Sequence, residues 1–525
     1  MSNSKLTTTL LVILDGWGVP SKKEVSAITP ETAPNFYGWH KKFPYTELEA
    51  SGEAVGLFKG QAGNSEAGHL NIGAGRIVKQ DALYVSDAIE DGTFFKNIAF
   101  QQAIHHVKKY NTAVHIMGLL SNHNSAHSRP EHLYALLELC KRENVSKVYL
   151  HLFTDGRDSG PHDAHIHLQK LREHFCGSEK IASIMGRLYA MDRNKNWDRI
   201  EVAYDAIVSG IAPYKASSAE EAIDMAYKRG ESDEFIVPTL IAEDGKTVYS
   251  VNNNDVVFFF NLRSDRARQL TKAIAQADFE KANPDVFVRS KIPENIRFVA
   301  MTDFGPELNS VLTAFPSRDI KNGLVQTLCP HKQLYIAETE KYAHITYFLN
   351  GGYAQHFCDE QFVKIESDPL INYSAKPEMK ASVIADYIIR ALKDHRYEFI
   401  AVNFANADMV GHTGDIEAAK KAIKTLDFEL GRVVTALLKE GGRGIITADH
   451  GNAEYMVDLE TNKPDTEHST SKVPCFLIVP HHEYKKFGIP HTAKLRSGSL
   501  SNVAPTVLKL MNIDKPKEMV AKPLF

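Results

Sequence analysis

Short apolar segments rich in β-branched residues alternate with amphipathic helical patterns along almost the whole chain of 525 residues. The clearest helical pattern covers residues 416–439, where apolar side chains recur every three or four positions, and it stops before Gly441. A chain that alternates strands and helices in this way is expected to form parallel sheets covered by helices on both faces. We therefore predict an α/β fold, with strands at residues 9–14, 114–120, 148–153, 181–185, 256–262, 399–404, 444–448 and 474–479.

The charge balance and the cysteines limit the classes of protein to which this chain can belong. Lys and Arg number 61 against 65 Asp and Glu, a net charge of −4, whereas proteins that bind nucleic acids or anionic membranes usually carry a basic excess. The apolar runs are too short to span a bilayer, and no signal peptide is evident. We therefore expect a cytoplasmic, monomeric protein that acts on a small molecule. The five scattered cysteines, never in CxxC spacing, are expected to be reduced thiols: Cys140, Cys176, Cys329, Cys358 and Cys475.

The distribution of chemical groups along the sequence predicts two domains. Side chains suited to metal binding occur near the two ends of the chain, whereas arginine-rich motifs occur in the middle. If the two ends build one site, the middle must be a domain inserted into the other. We place the first domain at residues 1–78 and 315–525 and the inserted domain at residues 79–314.

Two of the predicted strands end in acidic residues that are soon followed by glycine. Asp15 follows the apolar run 10–14, and Asp449 with His450 follows the run 444–448. Ligands of open α/β sheets bind beyond the carboxyl ends of the strands, so these side chains are expected to meet in one pocket. Asp15 alone would be an ordinary turn or helix-capping residue, but the adjacent carboxylate and imidazole of Asp449 and His450 favour a metal site.

Three further residues suit the same metal chemistry. Asp408 and His412 are four positions apart, so a helical turn would place both side chains on one face. His468 lies in a loop before the strand at 474–479, where a lone histidine is usually only solvated. A set of carboxylates and imidazoles suits Mn²⁺ or Zn²⁺. The sequence contains no HExxH motif and no paired CxxC, which disfavours a zincin or a zinc finger.

A glycine-rich loop at residues 60–69 supplies a candidate nucleophile. A helix can begin at Ser65, and the backbone N–H groups at a helix N-terminus attract a phosphate. A metal ion near the hydroxyl can activate such a serine, although a serine here could also be a simple helix cap. The segment 63–67 misses the GxSxG elbow because Ala67 occupies its last position; a Ser-His-Asp hydrolase stays an alternative, but it leaves the metal-type cluster unexplained. The sequence contains no Walker or dinucleotide-binding motif.

Arginines follow three of the predicted strands in the middle of the chain. Guanidinium groups bind carboxylates and phosphates in a bidentate manner, so their shared position at strand ends predicts a local anion pocket. Each motif alone would be explained by an ordinary surface ion pair. His127 and Lys341 could add hydrogen-bond donors. The arginines are Arg157, Arg187, Arg193, Arg263 and Arg266.

Eight sequence stretches, in one order and spread over nearly the whole chain, match a known family. They are LDGWG (14–18), GNSEAGHLNIGAGR (63–76), DGRD (155–158), GRLYAMDR (186–193), NLRSDRARQ (261–269), AETEKY (337–342), NFANADMVGHTG (403–414) and TADHGNAE (447–454). On these stretches the chain resembles the cofactor-independent (2,3-bisphosphoglycerate-independent) phosphoglycerate mutases of the alkaline phosphatase superfamily.

The resemblance implies an alkaline-phosphatase-like doubly wound sheet domain that binds two divalent metal ions, interrupted by an α/β substrate-binding transferase domain. The metal would be Mn²⁺, or Mg²⁺ or Co²⁺ in some members. The implied activity is the interconversion of 3-phosphoglycerate and 2-phosphoglycerate in glycolysis and gluconeogenesis, through a phosphoserine on Ser65. One ion is assigned to Asp408, His412 and His468, and the other to Asp15, Ser65, Asp449 and His450.

The resemblance also implies residues around the phosphoglycerate. Lys341 would spread the charge of the transferring oxygens, and Asp158 is our candidate proton carrier for the glycerate hydroxyls. The domains are expected to close on the substrate, because water would otherwise hydrolyse the phosphoserine. The implied substrate-binding residues are His127, Arg157, Asp158, Arg187, Arg193, Arg263, Arg266 and Lys341.

One stretch departs from the family pattern. The family typically has SDGGVHS after the strand that ends near Leu120, whereas this chain has SNHNSAHS at residues 121–128, one residue longer and without the two glycines. We match His127 to the family histidine through Ser128 behind it, and His123 is a rival for the same role. The alternative activities are a metal-dependent phosphatase or a phosphopentomutase of the same superfamily. The alternative from another class is a metal-binding protein without activity.

Overall fold

The chain folds into two compact units, each built on an eight-stranded sheet. The computed structural model describes residues 6–318, 320–369, 372–489 and 494–525. The first unit consists of the chain up to Gln80 together with the chain after Arg318, and the second consists of Asp81–Arg318. The boundaries inferred from the sequence, 78/79 and 314/315, lie a few residues before these divisions.

The strands, numbered in chain order, are β1 (Thr9–Leu14), β2 (Tyr45–Glu49), β3 (Val114–Leu120), β4 (Val148–Thr154), β5 (Glu179–Gly186), β6 (Tyr214–Ala216), β7 (Thr239–Ile241), β8 (Val256–Phe259), β9 (Arg297–Ala300), β10 (Leu312–Thr313), β11 (Gln333–Glu338), β12 (Gln361–Ile365), β13 (Phe399–Phe404), β14 (Arg443–Thr447), β15 (Val473–Ile478) and β16 (Gly498–Ser499).

The α-helices are α1 (Pro34–Trp39), α2 (Ser65–Ala74), α3 (Asp81–Glu90), α4 (Ile98–Tyr110), α5 (Pro130–Arg142), α6 (Ala164–Arg172), α7 (Arg187–Ala190), α8 (Trp197–Tyr204), α9 (Ala219–Lys228), α10 (Ser264–Ala275), α11 (Phe279–Ala282), α12 (Leu324–Thr327), α13 (Thr339–Ala343), α14 (Ala381–Lys393), α15 (Asn406–Gly411), α16 (Ile416–Lys439), α17 (Tyr484–Phe487) and α18 (Val503–Met511).

The sheet of the first unit is mainly parallel and has β1 near its centre. The strand order is β12-β11-β13-β1-β14-β15-β2-β16, and β15 runs antiparallel to both β14 and β2. All six residues of β1 are buried, which is the pattern of a parallel strand covered on both faces. Because β1 pairs in parallel with β13 and with β14, the carboxyl ends of these three strands lie at the same edge of the sheet.

Helices with one apolar face cover this sheet. The long helix α16 begins at Asp415, whose carboxylate accepts hydrogen bonds from two backbone N–H groups of the first turn, and it buries residues such as Ile423, Leu430 and Val433. It packs against α14 and α15, while α18 packs against β1, β14 and α2. The central strands β1 and β14 are thus covered by packed helices, whose buried residues share one apolar core with them.

The second unit repeats this architecture. Its strand order is β10-β9-β8-β3-β4-β5-β7-β6, and β7 runs antiparallel to β5. Successive residues of β3 enter different apolar cores, Ile116 one core and Met117 the other, as expected for side chains that alternate between the two faces of a strand. This sheet is also covered on both faces, and the carboxyl ends of β3, β4, β5 and β8 share one edge.

The predicted α/β class is confirmed, and the structure sharpens several boundaries. The helix predicted at 416–439 has these same bounds, whereas the strand predicted at 256–262 ends at Phe259, before the arginine-bearing loop. None of the helices in the part of the chain that the structure describes combines the length and the apolar content needed to cross a membrane.

The expectation that all five cysteines are reduced is wrong for two of them. Cys329 and Cys358 form a disulfide, with Cα atoms 5.4 Å apart. Cys329 lies between α12 and β11, and Cys358 lies in the loop before β12, the strand that pairs with β11. The pairing of these two strands brings the thiols together, although they are 29 residues apart in the sequence. Cys140, Cys176 and Cys475 are free.

Candidate metal and phosphoryl-transfer site

The acidic residues at the strand ends of the first unit meet in the fold. Asp15 follows β1, Asp449 and His450 follow β14, and all three side chains are fully buried. Asp408 lies in α15, directly after β13, and is also buried. His450 Nε2 lies 3.4 Å from Asp15 Oδ1 and 3.9 Å from Asp408 Oδ1. The parallel pairing of β1 with both neighbours therefore explains why residues from distant parts of the sequence share one pocket.

Ser65 lies at the first position of α2, and its hydroxyl contacts three of the site residues. It donates to Asp15 Oδ1 at 3.1 Å, lies 2.9 Å from His450 Nε2, and accepts a hydrogen bond from Lys341 Nζ at 3.0 Å. Asn64 caps the helix with its side-chain oxygen. A phosphoryl group on the Ser65 oxygen would lie at the N-terminus of a ten-residue helix, where the peptide dipoles favour negative charge.

A glycine allows α2 to approach the end of β14. A Cβ atom at Gly68 would lie 2.6 Å from the carbonyl oxygen of Asp449 and 2.7 Å from its Cβ. Any side chain at this position would push the helix away from Asp449. The small residue therefore fixes the distance between the helix that carries Ser65 and the strand end that carries Asp449.

Lys341 is the buried cation of the site. It lies in α13, just after β11, and its Nζ is 2.6 Å from Asp15 Oδ1 and 2.6 Å from Asp408 Oδ2. Burial opposes the charged form, but these two carboxylates raise the pKa of Lys341 above its usual value. Burial would likewise raise the pKa of Asp15 and of Asp408, yet Lys341 and the neighbouring histidines hold both well below their usual values.

His412 and His468, which are assigned with Asp408 to one metal ion, point their Nε2 atoms at each other. His412 Nε2 and His468 Nε2 are 3.0 Å apart, and they lie 3.3 and 3.1 Å from Asp408 Oδ1. Both Nδ1 atoms contact backbone carbonyl oxygens, of Thr466 at 2.7 Å and of Gly63 at 2.9 Å. Carbonyl oxygens only accept hydrogen bonds, so both Nδ1 atoms carry a proton, and the two Nε2 atoms face the Asp408 carboxylate at one point. Lone pairs and a carboxylate facing each other require a proton or a metal ion between them.

Asp449, near His69 and Asp15, has one carboxylate oxygen without a hydrogen-bond partner among the described residues. His69 Nδ1 lies 2.9 Å from the Ser65 carbonyl oxygen and 3.1 Å from Asp449 Oδ2. Its hydrogen bond goes to the carbonyl, so Asp449 Oδ2 is buried without a hydrogen-bond partner among the described residues. Burial disfavours the imidazolium form of His450, but Asp449, Asp15 and Asp408 raise the pKa of His450 to about 10.

This set of atoms fits divalent cations. Three buried carboxylates share one buried lysine, and the oxygen and nitrogen atoms converge in groups whose members all lie within 4.8 Å of one another. Buried carboxylates are stable only when cations or donors compensate them, and hydrogen bonds fix the orientation of the ring nitrogens as in metal sites. The groups are Asp408–His412–His468, Asp15–His69–Asp449 and Asp15–Asp408–His450. In the second group both ring nitrogens of His69 already have hydrogen-bond partners, the Ser65 carbonyl and the Asn403 amide, so the two carboxylates are its available ligands.

The second unit brings charged residues together beyond β4 and β5. Arg187 Nη1 lies 2.5 Å from Asp155 Oδ1 and 2.9 Å from Asp158 Oδ2, and the arginine is 2% exposed. Ser125 donates to Asp158 Oδ2 at 2.8 Å. Although burial opposes ionisation, Ser125 and Arg187 keep the pKa of Asp158 below its usual value. A half-buried carboxylate therefore lies directly beside a buried guanidinium.

Further predicted arginines of this unit lie close enough to Arg187 to affect one another's charge. Burial lowers the pKa of Arg266, and the positive charges of Arg187, Arg193 and Arg157 lower it further, so the guanidinium groups form one basic cluster. Arg193 also pairs with Asp265 at 3.0 Å.

The position of His127 separates it from its rival. His127 is buried, and burial together with Arg187 and Arg263 lowers the pKa of His127 to about 4. His123 is exposed and pairs with Glu131. His127 thus lies within the basic cluster, while His123 forms a surface ion pair.

Comparisons with known proteins decide the family. The chain is 47% identical over 532 residues to the protein named 2,3-bisphosphoglycerate-independent phosphoglycerate mutase 2 of Methanosarcina barkeri, with 98% of each chain covered. The chain belongs to the 2,3-bisphosphoglycerate-independent phosphoglycerate mutases. A mutase of the same name from Clostridium acetobutylicum is 44% identical over 520 residues, which cover 98% of this chain and 99% of the relative.

Two further comparisons agree with membership of this mutase family. Residues 85–306 match the family model described as BPG-independent PGAM N-terminus. The solved structure of Leishmania mexicana phosphoglycerate mutase at low cobalt concentration is similar over 100% of this chain and 98% of its own, with a TM-score of 0.72 and 28% identity. The likeness therefore extends over both units of the mutase.

Two site residues of the mutase, Asn403 and His69, are not singled out by the sequence patterns. Asn403 Nδ2 donates to Asp15 Oδ2 at 2.7 Å and lies 3.0 Å from His69 Nε2, and both residues are fully buried. Asn403 thus fixes the orientation of the Asp15 carboxylate. It also fixes the ring of His69, whose Nδ1–H donates to the Ser65 carbonyl oxygen. Asn403 is the fifth residue of an apolar strand, and a polar residue inside such a strand is the signal that could have indicated it.

Proposed function

We propose that this protein interconverts 3-phosphoglycerate and 2-phosphoglycerate through a phosphoserine on Ser65, without a bisphosphoglycerate cofactor. The observation that carries the proposal is the buried Ser65 hydroxyl, which hydrogen-bonds to Asp15 and Lys341 and lies against His450 at the N-terminus of α2. Relatives that align with nearly the full chain bear the name of this activity.

The proposal includes two divalent metal ions, with Mn²⁺ favoured. Asp408, His412 and His468 would hold one ion, and the other would be held by Asp15, Ser65, Asp449 and His450. When bound, such ions stabilise negative charge on a phosphoryl group and promote ionisation of a nearby hydroxyl. The mixture of carboxylates and imidazoles supports Mn²⁺, because imidazole is a poor ligand for Mg²⁺ and thiolates are absent from the set.

The residues of the first unit would carry the phosphoryl group. Ser65 Oγ forms a bond to phosphorus as the bond between phosphorus and a glycerate oxygen breaks, and the Asp15 carboxylate, which already accepts a hydrogen bond from this hydroxyl, is within reach of the serine proton. Lys341, 3.0 Å from the same oxygen, adds a fixed positive charge that is not lost at any physiological pH. In the second half of the reaction, the other glycerate hydroxyl attacks the phosphoserine and Ser65 is regenerated.

The residues of the second unit would hold the glycerate. Its carboxylate suits the guanidinium groups of Arg157, Arg193, Arg263 and Arg266, since arginine binds carboxylates in a bidentate manner. Asp158, which its lowered pKa keeps ionised, would take the proton of the attacking hydroxyl and pass it to the glycerate oxygen that has left phosphorus. His127, with its lowered pKa, would be neutral and could donate a hydrogen bond to the substrate. We further propose that the protein is cytoplasmic and monomeric.

Turnover of 3-phosphoglycerate in the absence of bisphosphoglycerate tests this function. We expect activity that is lost with EDTA and restored by Mn²⁺. The Ser65→Ala variant should lose exchange, while the exposed Ser497→Ala variant serves as the matched control and should retain it. Full activity after exhaustive chelation, or substantial turnover by Ser65→Ala, would contradict the proposal.

Release of free phosphate separates a mutase from a phosphatase. A mutase must keep glycerate bound until the second transfer, so wild-type protein should isomerise the substrate many times for each phosphate released. Arg263→Ala should weaken glycerate retention and raise the ratio of phosphate release to isomerisation. If wild-type protein releases phosphate as its main product, the hydrolase alternative is correct.

A further inference from the structure

Glu454 is a buried carboxylate that joins three separate segments of the first unit. Its Oε2 accepts the backbone N–H of Gly18 at 3.0 Å and that of Asn452 at 2.8 Å, and its Oε1 accepts the hydroxyl of Ser469. The side chain is 2% exposed, and within the described residues no Lys, Arg or His forms an ion pair with it. Its described hydrogen-bond partners are therefore neutral donors from the loops themselves.

Each of these three segments carries a proposed metal ligand. Gly18 lies three residues after Asp15, Asn452 lies two residues after His450, and Ser469 follows His468 directly. Two backbone hydrogen bonds connect the same segments, from Ala453 N to Gly16 O and from Ser469 N to Gly451 O, both at 3.0 Å. The carboxylate lies where the three segments meet.

Two glycines leave room for the Glu454 carboxylate. A Cβ atom at Gly18 would lie 2.2 Å from Glu454 Cδ, and one at Gly451 would lie 2.5 Å from Glu454 Oε1. Both positions therefore exclude any side chain while the glutamate is in place. Burying a carboxylate without a cation costs free energy of folding. The role of this carboxylate is therefore to fix the positions of the three segments and not to neutralise a charge.

We propose that Glu454 is a positioning residue that sets the spacing of the ligands Asp15, His450 and His468 and thereby the affinity of the metal centre. This inference rests on the metal centre of the proposed function. Hydrogen-bonded groups behind metal ligands typically change metal affinity by about 10–100-fold when they are removed. Glu454 differs from such groups because it acts on the backbone of the ligand loops and touches none of the ligand side chains directly.

Ser469 allows the role to be tested with a small change. Its hydroxyl connects Glu454 to the His468 segment, and the bonds to Gly18 and Asn452 do not depend on it. Ser469→Ala should therefore loosen only the segment that holds His468. In Glu454→Gln, the amide oxygen can still accept both backbone N–H groups and the amide nitrogen can donate to Ser469, so this variant should recover part of the loss caused by Glu454→Ala.

Calorimetric titration of the EDTA-treated, full-length protein with Mn²⁺ tests the proposal. We expect the Kd of at least one Mn²⁺ to rise about ten-fold or more in Ser469→Ala and further in Glu454→Ala, with Glu454→Gln in between. The Mn²⁺ concentration for half-maximal turnover should rise in parallel, and turnover should recover as Mn²⁺ is raised. The urea midpoint of the EDTA-treated Ser469→Ala protein should stay close to that of the wild type.

A matched control lies in the second unit. Glu179 is also buried, and its Oε2 accepts two backbone N–H groups, of Cys176 and Gly177, both at 2.8 Å. Glu179→Gln should leave Mn²⁺ affinity and activity unchanged. Wild-type Kd values in both Ser469→Ala and Glu454→Ala would overturn the inference, and so would a fall in maximal turnover that Mn²⁺ does not restore. If the wild-type protein binds no Mn²⁺, the proposed function itself fails.

Discussion

Replacing Glu338 with glutamine should make the protein more stable at neutral pH than the wild type. Glu338 ends β11 and is 1% exposed. Its Oε1 accepts the backbone N–H of Lys380 at 2.9 Å, and its Oε2 lies 3.1 Å from the hydroxyl of Ser367. Ser367 has one proton and also contacts Glu340, so it can donate to only one of the two carboxylates.

The expected size of the effect follows from the pKa of Glu338. Burial raises this pKa from 4.5 to about 7, with a smaller contribution from the charge of Glu340, although hydrogen bonds from the Lys380 backbone and from Ser367 oppose the rise. Between these pH values the folded state binds a proton that the unfolded chain has released. The stabilisation is therefore complete below pH 4.5 and is lost as the pH rises through 7, by about 3 kcal/mol in total at 1.4 kcal/mol per pH unit.

The variant Glu338→Gln carries the neutral group at every pH. Urea unfolding between pH 4.5 and 8.5, with EDTA present to remove metal binding, should show its free energy of unfolding rising relative to the wild type by about 3 kcal/mol. The control is the fully exposed Glu366, whose pKa is lowered by its hydrogen bond to Lys364; Glu366→Gln should show no such gain. A constant difference between Glu338→Gln and wild type across this pH range would refute the reasoning.

Three other outcomes follow from the described contacts. Lys341→Met should abolish turnover. In EDTA it should also lower the free energy of unfolding by about 3–5 kcal/mol, because the buried carboxylates lose their cation. Urea unfolding with and without Mn²⁺ should show that the metal recovers part of this loss. Gly68→Ala should cost about 1–3 kcal/mol and lower activity, whereas Gly38→Ala, a helical position with nothing within 4 Å of the new Cβ, should be neutral or stabilising by up to about 1 kcal/mol in the same assay. Thiol titration of native protein should find one reactive cysteine, the exposed Cys176, and three after unfolding without reductant; five would exclude the disulfide.

Two local sequence patterns, acidic residues at strand ends and a four-residue helical spacing, account for the part of the site that could be predicted. Asp15 and Asp449 are expected to meet because each ends an apolar run, and the parallel pairing of β1 with β14 places them together. The four-residue spacing of Asp408 and His412 predicts their shared helical face for the same local reason. Local sequence determines which residues end a strand or share a helical face, and the general rule for ligand binding in α/β sheets supplies the expectation that strand-end residues meet.

The features that could not be predicted depend on long-range packing. The family resemblance indicates Lys341 as a site residue, but its position between two carboxylates depends on the place of β11 in the sheet, which no local pattern specifies. The disulfide depends on the pairing of β11 with β12, and the spacing of its cysteines in the sequence carries no signal. Glu454 resembles any polar turn residue until its three donors are seen together.

The place of β1 in its sheet has a consequence for synthesis on the ribosome. This strand leaves the exit tunnel long before its two neighbours, β13 and β14, which are separated from it by the whole second unit. The second unit is contiguous, so we expect it to fold while the amino-terminal segment still waits without partners. The apolar run Leu10–Leu14 stays without its partner strands for that interval, so we expect it to attract chaperones and to promote aggregation of nascent chains when elongation stalls.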